Sequence, residues 1–390
     1  MESPRKPETK RFADARSMVA ALQPSYPVYC LEPATLMDAA QRFIDLFPGR
    51  VLYAVKCNPH PRVLKALWAG GIRHFDTASL PEIGMVRELF REAGIYFMHP
   101  VKGRAVIKTA WRVFGVDDFI VDHPDELAKV LDETDGGDGI TLYVRLKTPQ
   151  VEGTFYHLSD KFGAEPDLAA ELLREAHEQG CQTGLSFHVG SQCGDPGAYA
   201  SALATVGQVM EKARVDLHAL DVGGGFPGYY ADTQAPPLED FIETIEAGVR
   251  RLKLRRDCVL MCEPGRALVA DGCNLVVQVQ LRKENQLYIN DGIYGSLSET
   301  VDAGVQYRAR LIRLTGEPST ELVPFVMNGP TCDSLDVLPK PFELPADTRE
   351  GDWIEIEQTG AYSNALASHF NGFHPETFVE IAPEAGARQP

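Results

Sequence analysis

No apolar run in the 390 residues is long enough to cross a bilayer, so no membrane partner is expected. The opening MESPRKPETKRF lacks the hydrophobic core of a signal peptide; a mobile tail over residues 1–11 and a cytoplasmic location are expected. The eight cysteines never fall in CxxC spacing, which removes the usual zinc and disulfide frameworks and suits a reducing compartment, and no metal is expected. Positive charge is scarce: 38 Lys and Arg against 55 Asp and Glu leave a net charge of -17, which repels nucleic acid and anionic membranes. The same imbalance favours solubility and would welcome a cationic substrate. No repeat of fixed period is present and no GxGxxG stands at the first strand of a βαβ unit, so neither a solenoid nor a dinucleotide-binding fold is indicated.

What is present is an alternation. From about residue 28 to 266 short β-like runs take turns with helix-compatible stretches, the pattern of parallel strands joined by helices. After a lead-in, VYCLE, the runs are VLYAVK, HFDTAS, IYFMHP, DFIVD, TLYVRLK, GLSFHVGS, ALDVGGG and VLMCEPGR. Eight strand-then-helix units predict a TIM-type (β/α)8 barrel over 28–266, with its chemistry where the strands end. Those ends carry Lys56, Asp76, His99, Asp122, Arg145, His188, Gly223 to Gly225 and Glu263. After Arg266 helices thin out. NLVVQVQLRKENQLYINDG, ARLIRL, ELVPFVMNGPTCDSLDVL and GDWIEIEQTGAY predict an antiparallel β domain or barrel over 267–390, to which a helix-poor 12–27 returns.

Three features of the strand ends point to one ligand. Lys56 closes an apolar run, where an ammonium is either a surface residue or an amine held for a carbonyl. In LDVGGGFPG, Gly223, Gly224 and Gly225 remove every side chain from the approach of an anion to backbone N–H groups. In EPGR, Glu263 suits a protonated ring nitrogen and Arg266 suits a phosphate. An aldehyde, a phosphate and a pyridinium together describe pyridoxal 5'-phosphate.

The motifs YAVKCNP, FDTAS, KFGA, FHVGSQ, LDVGGGFPG, EPGR, NDGIYGS, GPTCDSLD and GDWIEIEQTGAYS, in this order between about Tyr26 and Phe373, resemble the fold-type III pyridoxal-phosphate decarboxylases, most closely the ornithine decarboxylases. The resemblance implies that Lys56 binds the cofactor covalently, that Glu263 pairs with the ring nitrogen and that His188 lies against the ring face. It implies that Ser191, Gly223 to Gly225, Arg266 and Tyr362 hold the phosphate, with Asp76, Glu82 and Arg145 around the lysine and ring. It makes Cys332 of the CDxxD stretch the proton donor and Asp333 the partner of a distal ammonium, both reaching across a homodimer with shared sites. Tyr294 and Asp302 are grouped with the substrate.

One segment departs from that family. Animal ornithine decarboxylases carry a second substrate aspartate in a Tyr-Asp-His run, where this sequence reads YGSLSETVDAGVQYRARL, leaving Asp302 or Glu299 to stand in. The expectation is decarboxylation of L-ornithine to putrescine and carbon dioxide. The alternatives are a lysine or dual lysine/ornithine decarboxylase and, further off, a decarboxylase-like binding protein without turnover.

Overall fold

The computed structural model describes residues 10–148 and 161–382; residues 1–9 of the expected tail lie outside them. The chain forms two compact units, one of residues 37–228 and 234–268, the other of residues up to Leu36, Tyr229–Thr233 and Val269 onward.

The first unit is the eight-stranded barrel. Its strands are β1 (Arg50–Ala54), β2 (His74–Thr77), β3 (Gly94–Phe97), β4 (Asp118–Val121), β5 (Thr141–Arg145), β6 (Gln182–Ser186), β7 (Ala219–Asp221) and β8 (Val259–Cys262). All neighbours run parallel in sequence order, and β8 closes on β1 through Met261 opposite Arg50 and Cys262 opposite Val51. The helices after β1, β2, β4 and β5 (Pro61–Ala69, Leu80–Leu89, Pro124–Glu133 and Pro166–Glu178) each place proline in the first turn, where no N–H is needed. Leu52, Tyr96, Met98, Ile120, Tyr143 and Met261 pack together as one buried cluster. At the opening of β4, Asp118 accepts a hydrogen bond from the Tyr143 hydroxyl at 3.0 Å, and burial pushes its carboxyl up to about 6.

The second unit is a nine-stranded sheet with three corrections to the expectation. First, the sheet is mixed: Thr377–Ile381 lies parallel to Val28–Leu31, and Gln286–Ile289 parallel to Leu322–Asn328, among antiparallel neighbours. Second, the lead-in Val28–Leu31 belongs here and not to the barrel, pairing with Thr377–Ile381 on one side and Cys273–Lys283 on the other. The reason is burial: all four of its residues are enclosed, which a lead-in strand outside a closed barrel would not achieve. The 12–27 stretch is also less β-rich than expected. Ala15–Leu22 is a helix, capped where Asp14 Oδ1 accepts from the Ser17 N–H and Ser17 Oγ from the Asp14 N–H. It lays Ala15, Met18 and Val19 against Val28, Val276 and Trp353.

Candidate active site

The expected residues of the barrel collect at the carboxyl ends of its strands. Lys56 stands in the turn Val55–Cys57 just beyond β1, its Nζ 3.0 Å from Oδ2 of Asp76 on β2. The Asp76 side chain is 1% exposed and the lysine side chain 45%, so the ammonium faces an opening while its counter-charge is locked in the wall. Glu82 follows in the first turn of Leu80–Leu89, where Oε2 accepts from the Ala78 N–H at 2.6 Å. Burial raises its carboxyl above the usual range, and Asp76 adds to that. Arg145 ends β5 and is buried. Asp122, one residue past β4, accepts from the Gly163 N–H at 2.9 Å, which brings KFGA against the barrel.

His188 lies two residues beyond β6. Its Nδ1 accepts from the Gly190 N–H at 3.0 Å, which leaves the proton on Nε2. Desolvation, followed by the charges of Arg145 and Lys56, pushes its pKa well below the ordinary value, so the ring is a neutral imidazole at physiological pH.

The glycine loop is a place where side chains cannot fit. A Cβ on Gly223 would stand 1.9 Å from the Phe187 carbonyl oxygen, and one on Gly225 2.4 Å from that of Gly190. Both take positive φ, +68° and +110°. The loop is pinned from outside: Tyr199 donates to Gly224 O at 2.9 Å and the Cys193 N–H to Gly225 O at 2.8 Å. Gln192 exchanges two hydrogen bonds with the Gly228 backbone, which fixes the segment carrying Ser191. Glu263, one residue past β8, is buried, and its Oε1 meets no hydrogen-bonding partner among the described residues. Arg266 follows three residues later and is buried as well. A bare-backbone cradle, an amine on its counter-ion, a neutral imidazole and an unmet carboxyl oxygen fit a phosphorylated pyridine aldehyde.

The remaining expected residues lie in the sheet unit. Tyr294 donates to Asp333 Oδ2 at 2.6 Å, which lowers the Asp333 carboxyl and raises the Tyr294 phenol. Cys332, beside Asp333, is exposed, and its N–H and thiol both reach Asn371 Oδ1, at 3.3 and 3.4 Å. The structure therefore brings Tyr294 and Asp333 together. In the helical turn Glu299–Asp302, Asp302 is exposed and Glu299 buried. Tyr362 has a left-handed backbone, φ 57°.

Residues 33–270 match the pyridoxal-binding domain of the pyridoxal-dependent decarboxylases. The chain belongs to that family. Among relatives of this decarboxylase is a lysine/ornithine decarboxylase of Selenomonas ruminantium, 34% identical over 350 residues, which are 87% of this chain and 85% of the relative. An antizyme inhibitor 2 of Xenopus laevis is 31% identical over 88% of this chain and 78% of its own. Among solved structures, the lysine/ornithine decarboxylase of Vibrio vulnificus complexed with putrescine superposes with a TM-score of 0.81 at 30% identity, covering 95% of this chain and all of that one.

Two residues of the decarboxylase site escaped the sequence. Asp221 ends β7 and Ser186 ends β6, both fully buried, and Ser186 Oγ donates to Asp221 Oδ2 at 2.8 Å. The signal was present in LDVGGG, where an acid sits inside an apolar strand two residues before the glycines.

Proposed function

We propose that this decarboxylase acts on a basic amino acid, with L-ornithine favoured over L-lysine, releasing carbon dioxide and the diamine. The observation that carries the substrate class is the Asp333 carboxylate, kept ionised by the Tyr294 hydroxyl and adjacent to the Cys332 thiol. An anionic group next to a proton donor suits a substrate with a cationic far end, and the chain's net charge of -17 favours its arrival.

When bound, pyridoxal phosphate supplies an electron sink for the pair left behind by the departing carboxylate. Lys56 holds and releases the cofactor through its amine, and Asp76 orients that amine. Glu263 keeps a proton at the ring nitrogen, His188 offers a neutral flat ring face, and Arg145 with Glu82 sets the local charge. Gly223 to Gly225, with Ser191, Arg266 and Tyr362, bind the phosphate. Cys332 delivers the proton to the substrate's α-carbon, and Asp333 with Tyr294 aligns the distal ammonium, Asp302 or Glu299 setting the length accepted. The exposure of Cys332, together with exposed Leu335, Phe370 and Phe373 in the same unit, supports a homodimer in which one copy completes the site of the other.

The test is carbon dioxide release with mass identification of the amine from purified protein given pyridoxal phosphate and L-ornithine, L-lysine, L-arginine or meso-diaminopimelate. Putrescine as the main product supports the proposal, and cadaverine moves the preference to lysine. Cofactor binding without release from any substrate favours the binding-protein alternative, which the similarity to an antizyme inhibitor keeps in play.

A further inference from the structure

The segment 368–374 of the sheet unit ties together the two loops that carry Tyr294 and Cys332. Ser368 holds the first loop twice, its N–H and its Oγ both donating to the Tyr294 carbonyl oxygen at 2.9 Å. The Phe370 ring lies 4.7 Å from the Tyr294 ring, centroid to centroid, and His374 Nδ1–H donates to the Ser368 carbonyl at 3.0 Å. At Asn371 the backbone turns left-handed, φ 51° and ψ 11°, and its Oδ1 accepts from both the N–H and the thiol of Cys332. Asp333 comes next in the chain and takes the Tyr294 hydroxyl. The contacts close a circuit from Asn371 through Cys332, Asp333, Tyr294 and Ser368 back to Asn371.

Position 371 makes two demands that few residues meet together. The left-handed backbone favours glycine, asparagine and aspartate, and the contact with Cys332 needs a short side chain that ends in an acceptor. The atom that faces Cys332 is fixed by the backbone: an N–H can only donate, so the amide presents its oxygen, and the same oxygen takes the thiol hydrogen. An amide oxygen accepts from a thiol and has no hydrogen to offer a thiolate. The contact therefore selects the side chain with its proton on sulfur. Because it grips Cys332 at both the N–H and Sγ, it also selects one rotamer about Cα–Cβ. A proton donor has to be in that form, and aimed, before each turnover.

We propose that Asn371 is a positioning residue for the proton donor: it holds the Cys332 thiol, hydrogen in place, in one rotamer beside Asp333, so that the acid and the anchor for the distal ammonium are presented as one unit. The proposal rests on the reading of Cys332 as the donor to the α-carbon. In that step the S–H bond breaks and a C–H bond forms with the electron pair left by carbon dioxide. The thiolate so formed takes a proton from water, and Asn371 Oδ1 then holds the thiol again.

The experiment compares the holoenzyme with Asn371→Gly and Asn371→Asp. Glycine keeps the left-handed backbone and removes the side chain, whereas aspartate keeps the backbone and an acceptor oxygen but sets a negative charge against the sulfur. Asn371→Gly should reduce kcat by about 10- to 100-fold, the cost of a misaimed reacting group, with KM and the visible band of the bound cofactor close to wild type. Asn371→Asp should recover part of that loss. A second readout does not depend on turnover: alkylation of Cys332 by iodoacetamide, followed by mass spectrometry of its peptide between about pH 6 and 10, reports the thiolate. Alkylation should be fastest in Asn371→Gly, which no longer holds the thiol hydrogen, and slowest in Asn371→Asp, whose charge opposes a thiolate. The pH of half-maximal rate should rise in the same order, from glycine through wild type to aspartate.

Equal alkylation in all three proteins would overturn the hold on the thiol, and a kcat in Asn371→Gly within about twofold of wild type would overturn the positioning role. Should Asn371→Gly not fold, an alkylation profile in Asn371→Asp that matches wild type overturns the proposal by itself. A wild type that releases no carbon dioxide, or a Cys332→Ala as active as wild type, sinks the reading on which the role rests, while the alkylation order separately reports whether Asn371 holds the thiol.

Discussion

The barrel rim and the Cys332 loop carry the two halves of the proposed chemistry and are built in opposite ways. At the rim, Asp76, Arg145, Asp221, Glu263 and Arg266 are buried at or just past the strand ends, and hydrogen bonds hold Asp76 to Lys56, His188 to the Gly190 N–H and Asp221 to Ser186 and the Gly223 N–H. Around Cys332, the thiol is exposed, its partner is the single oxygen of Asn371, and exposed Leu335, Phe370 and Phe373 lie in the same unit. A cofactor that stays for many turnovers benefits from a rigid, dehydrated seat. A group that must meet each new substrate benefits from access, and its exposed apolar company fits cover by a second copy.

If that contrast is right, the largest losses divide cleanly. Lys56→Ala should reduce turnover by at least about 1,000-fold and erase the visible band of the lysine-bound cofactor, both read on one purified sample. Cys332→Ala should reduce turnover by about 100- to 1,000-fold while the band and the melting temperature stay as in wild type, because an exposed thiol supports neither. Mixing the two inactive variants should restore part of the activity if copies share sites. Loss of the band in Cys332→Ala, or no recovery despite demonstrated subunit exchange, would break the division.

Asp333→Asn comes next. Removing the charge while keeping the side-chain shape should raise KM for the diamino acid by about 10- to 100-fold, the worth of a hydrogen bond to a charged group, with cofactor affinity unchanged. An equal loss of cofactor binding would move Asp333 to the cofactor's side of the comparison.

The same contrast explains what the sequence revealed. Barrel strands are apolar runs that end on polar residues, so all eight and the acids, bases and glycines at their ends were legible from VLYAVK to VLMCEPGR. Asp221 was not, because an acid within an apolar strand carries no periodic mark and its partner Ser186 lies 35 positions away, which only strand pairing brings near. The sheet unit was legible in its strands but not in their directions: Val28–Leu31 pairs with Thr377–Ile381 across most of the chain, and nothing local specifies a parallel partner so remote. The helix Ala15–Leu22 was missed although Asp14 and Ser17 spell its cap, because eight residues give a short periodic signal.

The smallest effect on turnover, and the sharpest control, is at the other end of the barrel. Asp118 is half-buried where the rim acids are buried, and it opens β4 where Glu263 follows the end of β8; its partner is the Tyr143 hydroxyl. Burial raises its folded-state pKa to about 6 from 3.8, so between those values the folded protein holds a proton that the unfolded chain releases. Stability from this group is therefore greatest below about pH 4 and declines as pH rises through 6, by roughly 1–3 kcal/mol in all. Asp118→Asn should flatten that part of the stability curve, measured by urea unfolding at pH 4 to 7, and leave kcat and cofactor affinity at wild-type values. A large fall in kcat would mean that burial anywhere in the barrel, and not position at the rim, is what the chemistry feels.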